Sequence, residues 1–436
     1  MSALAEVLLD CGMQVSACDR GDSPRLDALR RRGVTVWTGE DAGDHLCDAR
    51  SVVYTAAAGR DHPELVEART RRLLTVPRSL VLARFTRAIP SVCVAGSHGK
   101  STVTALLAHL LTCAGHAPGY VVGSVIRGVN HGGFLGGGGV MVLETDEFDR
   151  TIERVRPHLG IITNIEPEHL DVYGTVGALT AAFGRFARRA RIGIVAWDEG
   201  AGGPVGSLRA VGTLRCGTGD DADVRCQVNG WEGPRPRVEI RLPDGAEIQA
   251  TLAVPGMHNA CNAALAAAGA WRLGAPPAAI GEGLATYPGL ERRFEVLGTA
   301  GGAILITDYA HHPTEIRATL ATARALGNPI IAVFQPHLYS RTAILFNDFA
   351  RSFADADRVV LTPIYAARER QVPGVTSEAL CGAVNAAGVR AEAVGSWEAL
   401  RDLLCPLLGP ALTVVFLTAG DLDAFARCFI AEIGSG

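Results

Sequence analysis

A short glycine-rich loop between an apolar stretch and a helical stretch constrains the fold of this chain more than any other feature of its sequence. Residues 92–94 are apolar and predict a buried strand, and residues 102–112 predict the helix that follows it. Gly96 and Gly99 lie between them, where glycine lets the backbone turn tightly and bring its N–H groups against a phosphate. This order of strand, loop and helix predicts an α/β fold with an anion site at the helix N-terminus.

The residues after the second glycine add charge to the loop. Lys100 is the only lysine of the chain, and its ammonium group would face the same anion as the loop amides. The hydroxyl group of Ser101 could bind a magnesium ion beside the phosphates. Val94 stands where the usual phosphate loop has a further glycine, so the motif is a shortened G-x-x-G-K-S-T. The alternative is a glycine turn before an ordinary helix with a solvated lysine.

Composition narrows the class of protein. A chain of 436 residues is long enough for two or three domains, and 48% hydrophobic with 20% charged residues is typical of a globular protein. A net charge of −4 with both signs dispersed argues against a nucleic-acid surface, and no apolar run reaches the ~18 residues of a membrane span. The 11 cysteines form no C-x-x-C pair, which predicts buried, reduced thiols in a cytoplasmic protein and neither disulfides nor zinc ligands.

Residues 1–88 alternate short apolar strands with helical stretches. This pattern predicts a Rossmann-like N-terminal domain with a parallel sheet. Such a domain should open with a strand and a glycine-rich turn, whereas this chain begins inside the first helix, so the first strand is missing. Asp19 follows a predicted strand, where related folds place an acid that contacts a ribose or a base. A capping residue at the strand end is the alternative.

Two predicted strands of the central domain, residues 89–290, both end in acidic residues. The first runs into four acids within residues 144–149, and the second delivers a carboxylate-rich segment that contains His169. Ligands in open parallel sheets bind at the carboxyl ends of strands, and carboxylates with a histidine suit a cation held near phosphates. Glu144 and His169 are therefore predicted metal ligands, with solvated surface acids as the alternative.

The remaining segments predict less chemistry. Residues 237–252 predict an antiparallel β hairpin with one solvated face, inserted into the central domain. Asn259 and Asn262 lie three apart at the start of an alanine-rich helix, where they could cap the helix or contact the edge of a purine. Residues 291–436 predict a doubly wound C-terminal domain whose polar segments again follow strands.

Six of these motifs, in this order, resemble the Mur ligase family over nearly the whole chain. They are residues 96–102, 144–149, 163–171, 258–262, 289–295 and 308–315. The resemblance implies three α/β domains and an ATP-dependent ligase that forms amide bonds in peptidoglycan precursors of the cell wall. Residues 308–315 and 334–337 are similar to the branch of the family that joins UDP-N-acetylmuramate to L-alanine.

The resemblance also implies roles toward ATP and Mg2+. A substrate carboxylate would attack the γ-phosphate to give an acyl phosphate, and the amine of an amino acid would then displace phosphate. Lys100 and Arg293 would stabilise charge on the transferred group. Ser101 would hold one Mg2+, and Glu144 with His169 would hold a second. The implied ATP-binding residues are Gly96, Ser97, His98, Gly99, Lys100, Ser101, Thr102, Asn259, Asn262, Arg293 and Asp308, the last of these at the ribose.

The implied substrate-binding residues are Asp19, Thr55, Tyr309, His311, His312 and Arg341. All departures from the family pattern concern substrates and not ATP. The glycine-rich turn for the UDP pyrophosphate is absent, which a start codon placed too late would explain. Thr55 and Ala56 replace paired serines, and Glu40 replaces a histidine. Leu338 replaces an arginine that clamps the carboxylate of the amino acid, and an alkyl chain cannot form that bidentate contact.

These departures leave two alternatives to the alanine-adding activity. The first keeps the ligase chemistry with a different acid and amine, in specialised metabolism or muropeptide recycling. The second is a nucleotide-binding regulator without ligase activity, against which the presence of Glu144, His169, Arg293 and Asp308 argues. In either case the expected partners are small molecules, with no nucleic acid and no membrane, and the chain is expected to be a monomer or a homodimer.

Overall fold

The chain divides into two compact units. In its computed structural model, residues 1–39, 44–59, 61–198, 205, 208, 210–367 and 369–433 are described. Unit 1 comprises Met1–Asn229, Arg237–Ala253 and Ala260–Gly289, and unit 2 comprises Gly230–Pro236, Val254–Asn259 and Leu290–Gly436. The domain boundaries expected after residues 88 and 290 stay a prediction, and Glu40 lies outside the described residues.

The first 88 residues alternate strands with helices, as predicted. Their elements are α1 (Ser2–Asp10), β1 (Ser16–Asp19), α2 (Pro24–Arg31), β2 (Thr35–Thr38), a 3₁₀ turn (Asp44–Leu46), β3 (Ser51–Tyr54), α3 (Pro63–Thr70), β4 (Leu74–Pro77) and α4 (Arg78–Ala88). β1 pairs with β2 and β3 pairs with β4, both in parallel. These strands form two separate pairs and not the one sheet expected, because no described strand pairs with both β1 and β3.

The next elements build a ten-stranded sheet. They are β5 (Ser91–Ala95), α5 (Lys100–Cys113), β6 (Gly119–Val121), β7 (Gly133–Phe134), β8 (Met141–Glu144), α6 (Thr151–Arg154), β9 (Leu159–Ile162), α7 (Leu170–Tyr173), α8 (Val176–Arg189), β10 (Ile194–Trp197), β11 (Leu214–Gly217), β12 (Val224–Glu232), β13 (Arg235–Arg241), β14 (Glu247–Thr251), α9 (Met257–Arg272) and α10 (Pro277–Thr286). The strand order is β14-β13-β12-β11-β10-β9-β5-β8-β6-β7. β5 lies between β8 and β9 and is parallel to both, and the predicted hairpin is confirmed as antiparallel β13 and β14.

Unit 2 contains a six-stranded sheet covered by helices. Its elements are β15 (Glu295–Ala300), β16 (Ala303–Asp308), α11 (Pro313–Arg324), β17 (Ile330–Gln335), α12 (Tyr339–Ile344), α13 (Phe346–Ala350), β18 (Arg358–Leu361), α14 (Ser377–Ala386), β19 (Ala391–Ala393), α15 (Trp397–Leu404), a second 3₁₀ turn (Cys405–Leu407), β20 (Thr413–Thr418) and α16 (Leu422–Ile433). The order is β15-β16-β20-β17-β18-β19, and only the pairing of β15 with β16 is antiparallel.

The central strands of both sheets are buried along their whole length. Every residue of β5, β9, β10, β17 and β20 is buried. Helices cover both faces of a parallel sheet, so its strands are continuous apolar runs and do not alternate with polar residues. The polar residues of these strands, Ser91, Gln335, Thr413 and Thr418, occupy terminal positions, and ligands bind in such sheets at the carboxyl ends of the strands.

Two expectations from composition can be compared with the structure. The 11 cysteines are all free thiols, but the expectation that they are buried is wrong for four of them, Cys11, Cys47, Cys405 and Cys428. Three of these four lie in turns or at helix ends, where apolar neighbours do not surround them. Within the described residues, no helix combines the length and the apolarity that a membrane crossing requires.

Candidate active site

The glycine-rich loop joins β5 to α5, and its two glycines adopt a backbone that other residues rarely adopt. Gly96 has a φ of +139° and Gly99 a φ of +81°. A Cβ atom at Gly96 would lie 2.0 Å from Thr163 Oγ1, and a Cβ atom at Gly99 would lie 2.7 Å from Asn262 Oδ1. Backbone conformation and packing therefore both favour glycine at these two positions.

The ammonium group of Lys100 lies beneath this loop. It donates to the backbone oxygens of Gly96 at 2.6 Å and Ser97 at 3.1 Å, and it contacts the two carboxylate oxygens of Glu147 at 3.1 and 3.2 Å. The side chain of Lys100 is 12% exposed and that of Glu147 is 1% exposed. Lys100 is thus a largely buried cation with a buried partner, and the alternative of a solvated lysine is excluded.

Electrostatics keep this lysine charged. Burial alone would lower the pKa of Lys100, but the negative charges of Glu147 and Asp146, helped by Glu168 and Glu144, raise it above its ordinary value. Burial raises the pKa of the Glu147 carboxyl group, and the Lys100 ammonium acts in the opposite direction. Burial also acts to raise the pKa of Asp146, but the Lys100 charge and a backbone N–H group lower it overall. The site therefore holds a permanent cation next to the ionised Asp146 carboxylate and the buried acidic side chain of Glu147.

The residues that follow β9 brace the glycine-rich loop. Asn164 accepts the backbone N–H of His98 at 2.8 Å through Oδ1 and donates to the His98 oxygen at 3.2 Å through Nδ2. The Ser97 hydroxyl accepts the backbone N–H of Glu166 at 2.9 Å, and the Thr163 hydroxyl donates to the His98 oxygen. Asn164 and Thr163 were not among the predicted site residues, although they hold the loop in place.

Three side chains that follow β8 and β9 bring possible metal ligands together. Donor atoms of Asp146, Glu147 and His169 all lie within 4.8 Å of one another, with His169 Nε2 3.8 Å from Glu147 Oε1. Glu144 accepts the backbone N–H of Gly123 at 2.5 Å. The acidic segment therefore does gather at the sheet edge, and the group with His169 includes Asp146 and Glu147, which were not predicted ligands.

This donor set fits a divalent cation. Carboxylate oxygens are the ligands that Mg2+ prefers, and their charge would offset that of the ion. Ser101 and Thr102 lie in the first turn of α5, directly after Lys100, so their hydroxyl groups start from the same end of the helix. The predicted ligands Ser101, Glu144 and His169 stay a prediction, to which the structure adds two carboxylates as candidates.

A second group of predicted residues lies in unit 2, around the ring of Tyr309. The guanidinium carbons of Arg292 and Arg293 lie 4.8 and 5.3 Å from the centre of this ring. Arg293 Nη1 is 3.5 Å from Glu315 Oε1, and Glu315 Oε2 accepts the backbone N–H of His311 at 3.1 Å. Arg293 is thus held by a carboxylate and an aromatic ring, with its side chain 29% exposed.

Asp308 fixes the backbone around this group. Its carboxylate is buried and accepts the backbone N–H of Phe294 at 2.6 Å and that of Ala310 at 2.8 Å. Burial raises the pKa of Asp308 above its usual range. His312 begins α11 by accepting the backbone N–H of Thr314 at 3.3 Å. The contacts of Asp308 and His312 with a nucleotide or a substrate stay predictions.

His337 connects the group to Arg341. Its ring lies 6.1 Å from that of His311 and stacks on Tyr365 at 5.6 Å, and Arg341 Nη1 is 3.4 Å from His337 Nδ1. Burial, followed by the positive charges of its neighbours, lowers the pKa of His337 to about 3, so this ring is neutral. Leu338 has a φ of +71°, which is strained for a residue with a branched side chain.

Asp19, Thr55 and Asn259, which were also predicted, form hydrogen bonds with nearby backbone groups. Asp19 is exposed at the end of β1 and accepts the backbone N–H of Arg20 at 2.8 Å. Thr55 follows β3 and accepts the backbone N–H of Ala57 at 3.3 Å. Asn259 donates to a backbone oxygen four residues earlier at 2.6 Å. Both alternatives for Asp19, and both for Asn259, stay open.

The structure therefore gathers most predicted site residues into one group in each unit. Unit 1 brings together the loop, Lys100, His169, Asn262 and the acidic segment. Unit 2 brings together Arg293, Tyr309, His311 and, through His337, Arg341. The signal for the residues that were missed was present, since Asp146 and Glu147 belong to the acidic segment and Asn164 follows a predicted strand. The direction of each of these side chains depends on the backbone of a loop. Because a loop has no periodicity, the sequence pattern does not predict which side chains point inward.

Comparison with known protein families finds matches in three consecutive segments of the chain. Residues 1–89 match the Mur ligase family catalytic domain, residues 94–270 match the Mur ligase middle domain, and residues 292–420 match the Mur ligase glutamate ligase domain. Among solved structures, a UDP-N-acetylmuramate–alanine ligase from Thermotoga maritima superposes with a TM-score of 0.86, at 26% identity, over 100% of this chain and 96% of that one. A murein peptide ligase from Psychrobacter arcticus shares the fold, with a TM-score of 0.74 at 22% identity over 100% and 97% of the two chains.

Curated relatives align over almost their full length. The UDP-N-acetylmuramate–L-alanine ligase of Rhizobium meliloti (strain 1021) is 38% identical over 448 residues, which cover 99% of this chain and 95% of the relative. The enzyme of the same name from Agrobacterium fabrum is 39% identical over 447 residues, covering 100% and 95%. Because the resemblance seen in the motifs extends over three domain matches and full-length relatives, this chain belongs to the Mur ligase family.

Proposed function

We propose that this protein is an ATP-dependent ligase that joins the carboxyl group of UDP-N-acetylmuramate to the amino group of L-alanine, a step in making peptidoglycan precursors. The observation that carries the proposal is the Lys100 ammonium, which lies beneath a glycine-rich loop and against the buried Glu147 carboxylate. Full-length relatives that bear the name of this activity support the choice of substrates.

The loop would bind the phosphates of ATP. The loop ends at the N-terminus of α5, where the first backbone N–H groups of the helix and the helix dipole favour an anion. A bound triphosphate would compete with Glu147 for the Lys100 ammonium, which stays charged. Asn262 and the residues that brace the loop would keep these groups in position. Arg293 is proposed to stabilise the transferred phosphoryl group as well.

The reaction would proceed in two transfers. An oxygen of the substrate carboxylate attacks the γ-phosphorus, the bond to ADP breaks, and the carboxylate becomes an acyl phosphate. The nitrogen of the neutral amine then attacks the acyl carbon, phosphate leaves with the former carboxylate oxygen, and the nitrogen loses a proton. The first transfer makes the carbonyl carbon electrophilic, and without it a carboxylate does not react with an amine.

Asp146, Glu147 and His169, with Ser101 and Glu144 as the predicted members, would hold Mg2+ at this site. Bound Mg2+ would neutralise charge on the phosphate oxygens and favour the transfer. The acidic side chains and Lys100 lie together in the described residues. The chain would therefore supply ligands for Mg2+ and, in the Lys100 ammonium, a positive charge of its own for the phosphates.

The group around Tyr309 in unit 2 is the proposed site for the amino acid. His311 and Arg341 both connect to the neutral ring of His337, and a guanidinium group can bind the carboxylate of an amino acid. Leu338 favours a second candidate function, in which the same chemistry joins a different acid and amine, because the family resemblance implies an arginine at this position. The relatives' names favour alanine, and the two candidates differ only in their substrates.

A single assay distinguishes these candidates. ADP release is measured with UDP-N-acetylmuramate and with other UDP-linked or free carboxylates, each combined with L-alanine and a panel of other amino acids. We expect the highest kcat/KM for UDP-N-acetylmuramate with L-alanine. No turnover with this pair, together with turnover for another pair, would assign the second candidate function.

A variant separates an enzyme from a nucleotide-binding regulator. Lys100→Ala should lower kcat by at least about 100-fold, because removal of one group that stabilises transition-state charge costs about 10²- to 10³-fold. Arg72→Ala, which changes a cation outside the two groups described above, is the matched control and should leave kcat within about twofold. An unchanged rate in Lys100→Ala would exclude phosphoryl transfer at this loop.

We further propose a division into domains at residues 1–88, 89–290 and 291–436, and action in the cytoplasm. The three family matches, which end and begin near residues 89 and 292, support the division. The 11 free thiols support a reducing compartment. Limited proteolysis should cut near these boundaries first, and cuts confined to other sites would exclude them.

A further inference from the structure

Three side chains of the first 88 residues, in a part of the sequence that precedes the glycine-rich loop, lie close together. Cys18 lies near the end of β1, His45 in the 3₁₀ turn after β2, and Glu64 in the first turn of α3. Cys18 Sγ, a nitrogen of His45 and a carboxylate oxygen of Glu64 all lie within 4.8 Å of one another. Three separate elements therefore aim a thiol, an imidazole and a carboxylate at one point, which we call the Cys18 cluster.

Within this cluster, His45 contributes a buried ring nitrogen that lacks a hydrogen bond in the part of the chain that the structure describes. Its side chain is 5% exposed, and among the described residues its buried Nε2 atom has no hydrogen-bond partner. Trp37 packs against the imidazole ring with a centroid distance of 5.3 Å and holds its orientation. A buried polar atom without a hydrogen bond is costly, so such atoms in folded proteins call for an explanation, and a bound ion is one.

The spacing of the donor atoms suits a small tetrahedral cation. Zinc binds sulfur at about 2.3 Å and nitrogen or oxygen at about 2.0 Å, so its ligand atoms are about 3.3 to 3.8 Å apart. His45 Nε2 and Glu64 Oε1 are separated by 3.4 Å, which lies within this range. A shift of Cys18 Sγ by less than about 1.5 Å would complete the third edge, since that atom already lies within 4.8 Å of both.

We propose that Cys18, His45 and Glu64 bind Zn2+, with water in the fourth position. The mixture of thiolate, imidazole and carboxylate ligands favours zinc over Mg2+ or Ca2+, which bind oxygen ligands. The cation would link the end of β1, the 3₁₀ turn and the start of α3. The proposal differs from the expectation based on cysteine spacing, because a zinc site assembled from three distant elements leaves no C-x-x-C signature.

Binding would release a proton from the cysteine. Zinc binds the thiolate form of cysteine, so the Cys18 thiol has to lose its proton when the cation binds. The Cys18 thiol contacts the backbone oxygen of Gly39 at 3.8 Å. The cation would form a bond with the sulfur, and the thiol proton would pass to solvent, so affinity should increase as the pH rises.

The test uses Co2+, which substitutes for Zn2+ and absorbs light when it is bound to a thiolate. The full-length, reduced protein is titrated with Co2+ in the presence of excess Mg2+, so that the carboxylates around Lys100 are occupied. We expect a thiolate-to-cobalt charge-transfer band that saturates at one equivalent and is abolished by one equivalent of Zn2+. The Asp146, Glu147 and His169 group contains no sulfur and cannot produce this band.

Variants assign the band to the cluster. Cys18→Ser should abolish it, and His45→Gln and Glu64→Gln should each weaken Co2+ binding by at least about 100-fold, since loss of an outer partner alone costs about 10- to 100-fold. Cys47→Ser, which removes an exposed thiol close in sequence, is the matched control and should leave the band unchanged.

Two results would overturn the proposal. The first is the absence of a charge-transfer band in the unaltered protein. The second is an unchanged band in Cys18→Ser or in Glu64→Gln, with circular dichroism that shows a folded chain. Glu64→Gln keeps the shape of the side chain, so it decides the test if either of the other two variants fails to fold. Neither readout depends on ligase activity.

Discussion

Replacement of Gly99 by alanine tests whether this glycine is required by its neighbour as well as by its own backbone. Gly99 is the N-cap residue of α5 and has a φ of +81°, and an added Cβ atom would lie 2.7 Å from the buried Asn262 side chain. Gly115 follows the same helix with the same φ of +81°, and an added Cβ atom there meets nothing within 4 Å. Gly115→Ala is therefore a matched control that changes the backbone energy alone.

The expected cost differs between the two variants. Alanine in the left-handed region costs about 1 to 2 kcal/mol, and both variants should lose this amount. A contact forced into a packed site costs about 1 to 3 kcal/mol more, which applies only to Gly99→Ala. In thermal unfolding, where about 1 kcal/mol corresponds to about 2 to 4 °C, Gly99→Ala should melt several degrees below Gly115→Ala.

Kinetics should separate the two variants further. A displacement of about 1 Å at a phosphate-binding loop can cost about 100-fold in rate, so kcat/KM for ATP should fall by about this factor in Gly99→Ala. Gly115→Ala should keep kcat/KM within about twofold. The double variant Gly99→Ala with Asn262→Ala should lose about 1 to 3 kcal/mol less free energy of unfolding than the losses of the two single variants added together. Equal stabilities and rates for Gly99→Ala and Gly115→Ala, with additive effects of Asn262→Ala, would refute this reasoning.

Further predictions concern charge in each unit. Glu147→Gln removes the buried partner of Lys100 and should lower the free energy of unfolding by about 2 to 4 kcal/mol in a denaturant titration. Glu166→Gln changes a partly exposed carboxylate and should lower it by less than about 1 kcal/mol. Equal losses in the two variants would contradict a buried ion pair. Asp308→Asn places an amide NH2 group against one of the two backbone N–H groups that the carboxylate accepts, and it should lower the free energy of unfolding by about 1 to 3 kcal/mol. An unchanged melting temperature would exclude the role assigned to Asp308. The lowered pKa of His337, about 3, means that the unfolded chain binds a proton near pH 6.5 that the folded chain does not. The contribution of His337 to stability is therefore fully present above about pH 6.5 and is lost as the pH falls toward about 3. Between about pH 7 and 4, His337→Gln should lose less free energy of unfolding than the unaltered protein. Plots of the free energy of unfolding against pH that are parallel for the two proteins would contradict this.

Much of the fold follows from local sequence. The alternation of strands and helices expected in residues 1–88 is present, and the glycine-rich loop lies between a buried strand and a helix as predicted. The antiparallel hairpin of β13 and β14 was likewise expected from its alternation and its Pro-Asp-Gly turn. These features depend on residues close together in the chain, so periodicity and turn chemistry are sufficient to predict them.

Features that depend on the pairing of distant strands were harder to predict. Asn164 braces the loop because β5 and β9 are neighbours in register, with Ala95 opposite Ile162, and strand order cannot be derived from either segment alone. Within residues 144–149 the direction of each acid depends on an irregular turn, which buries Glu147 and exposes Phe148. The separation of β1 with β2 from β3 with β4 also depends on strand pairing and not on local pattern.

The proposed chemistry is tested most directly by the fate of one oxygen atom. UDP-N-acetylmuramate is labelled with ¹⁸O in its carboxyl group and incubated with the protein, ATP, Mg2+ and L-alanine, and the released phosphate is analysed by mass spectrometry. If the carboxylate is phosphorylated before the amine attacks, each phosphate released carries one oxygen from the carboxyl group. Phosphate without the label, while the amide product forms, would contradict an acyl phosphate and with it the role proposed for Lys100.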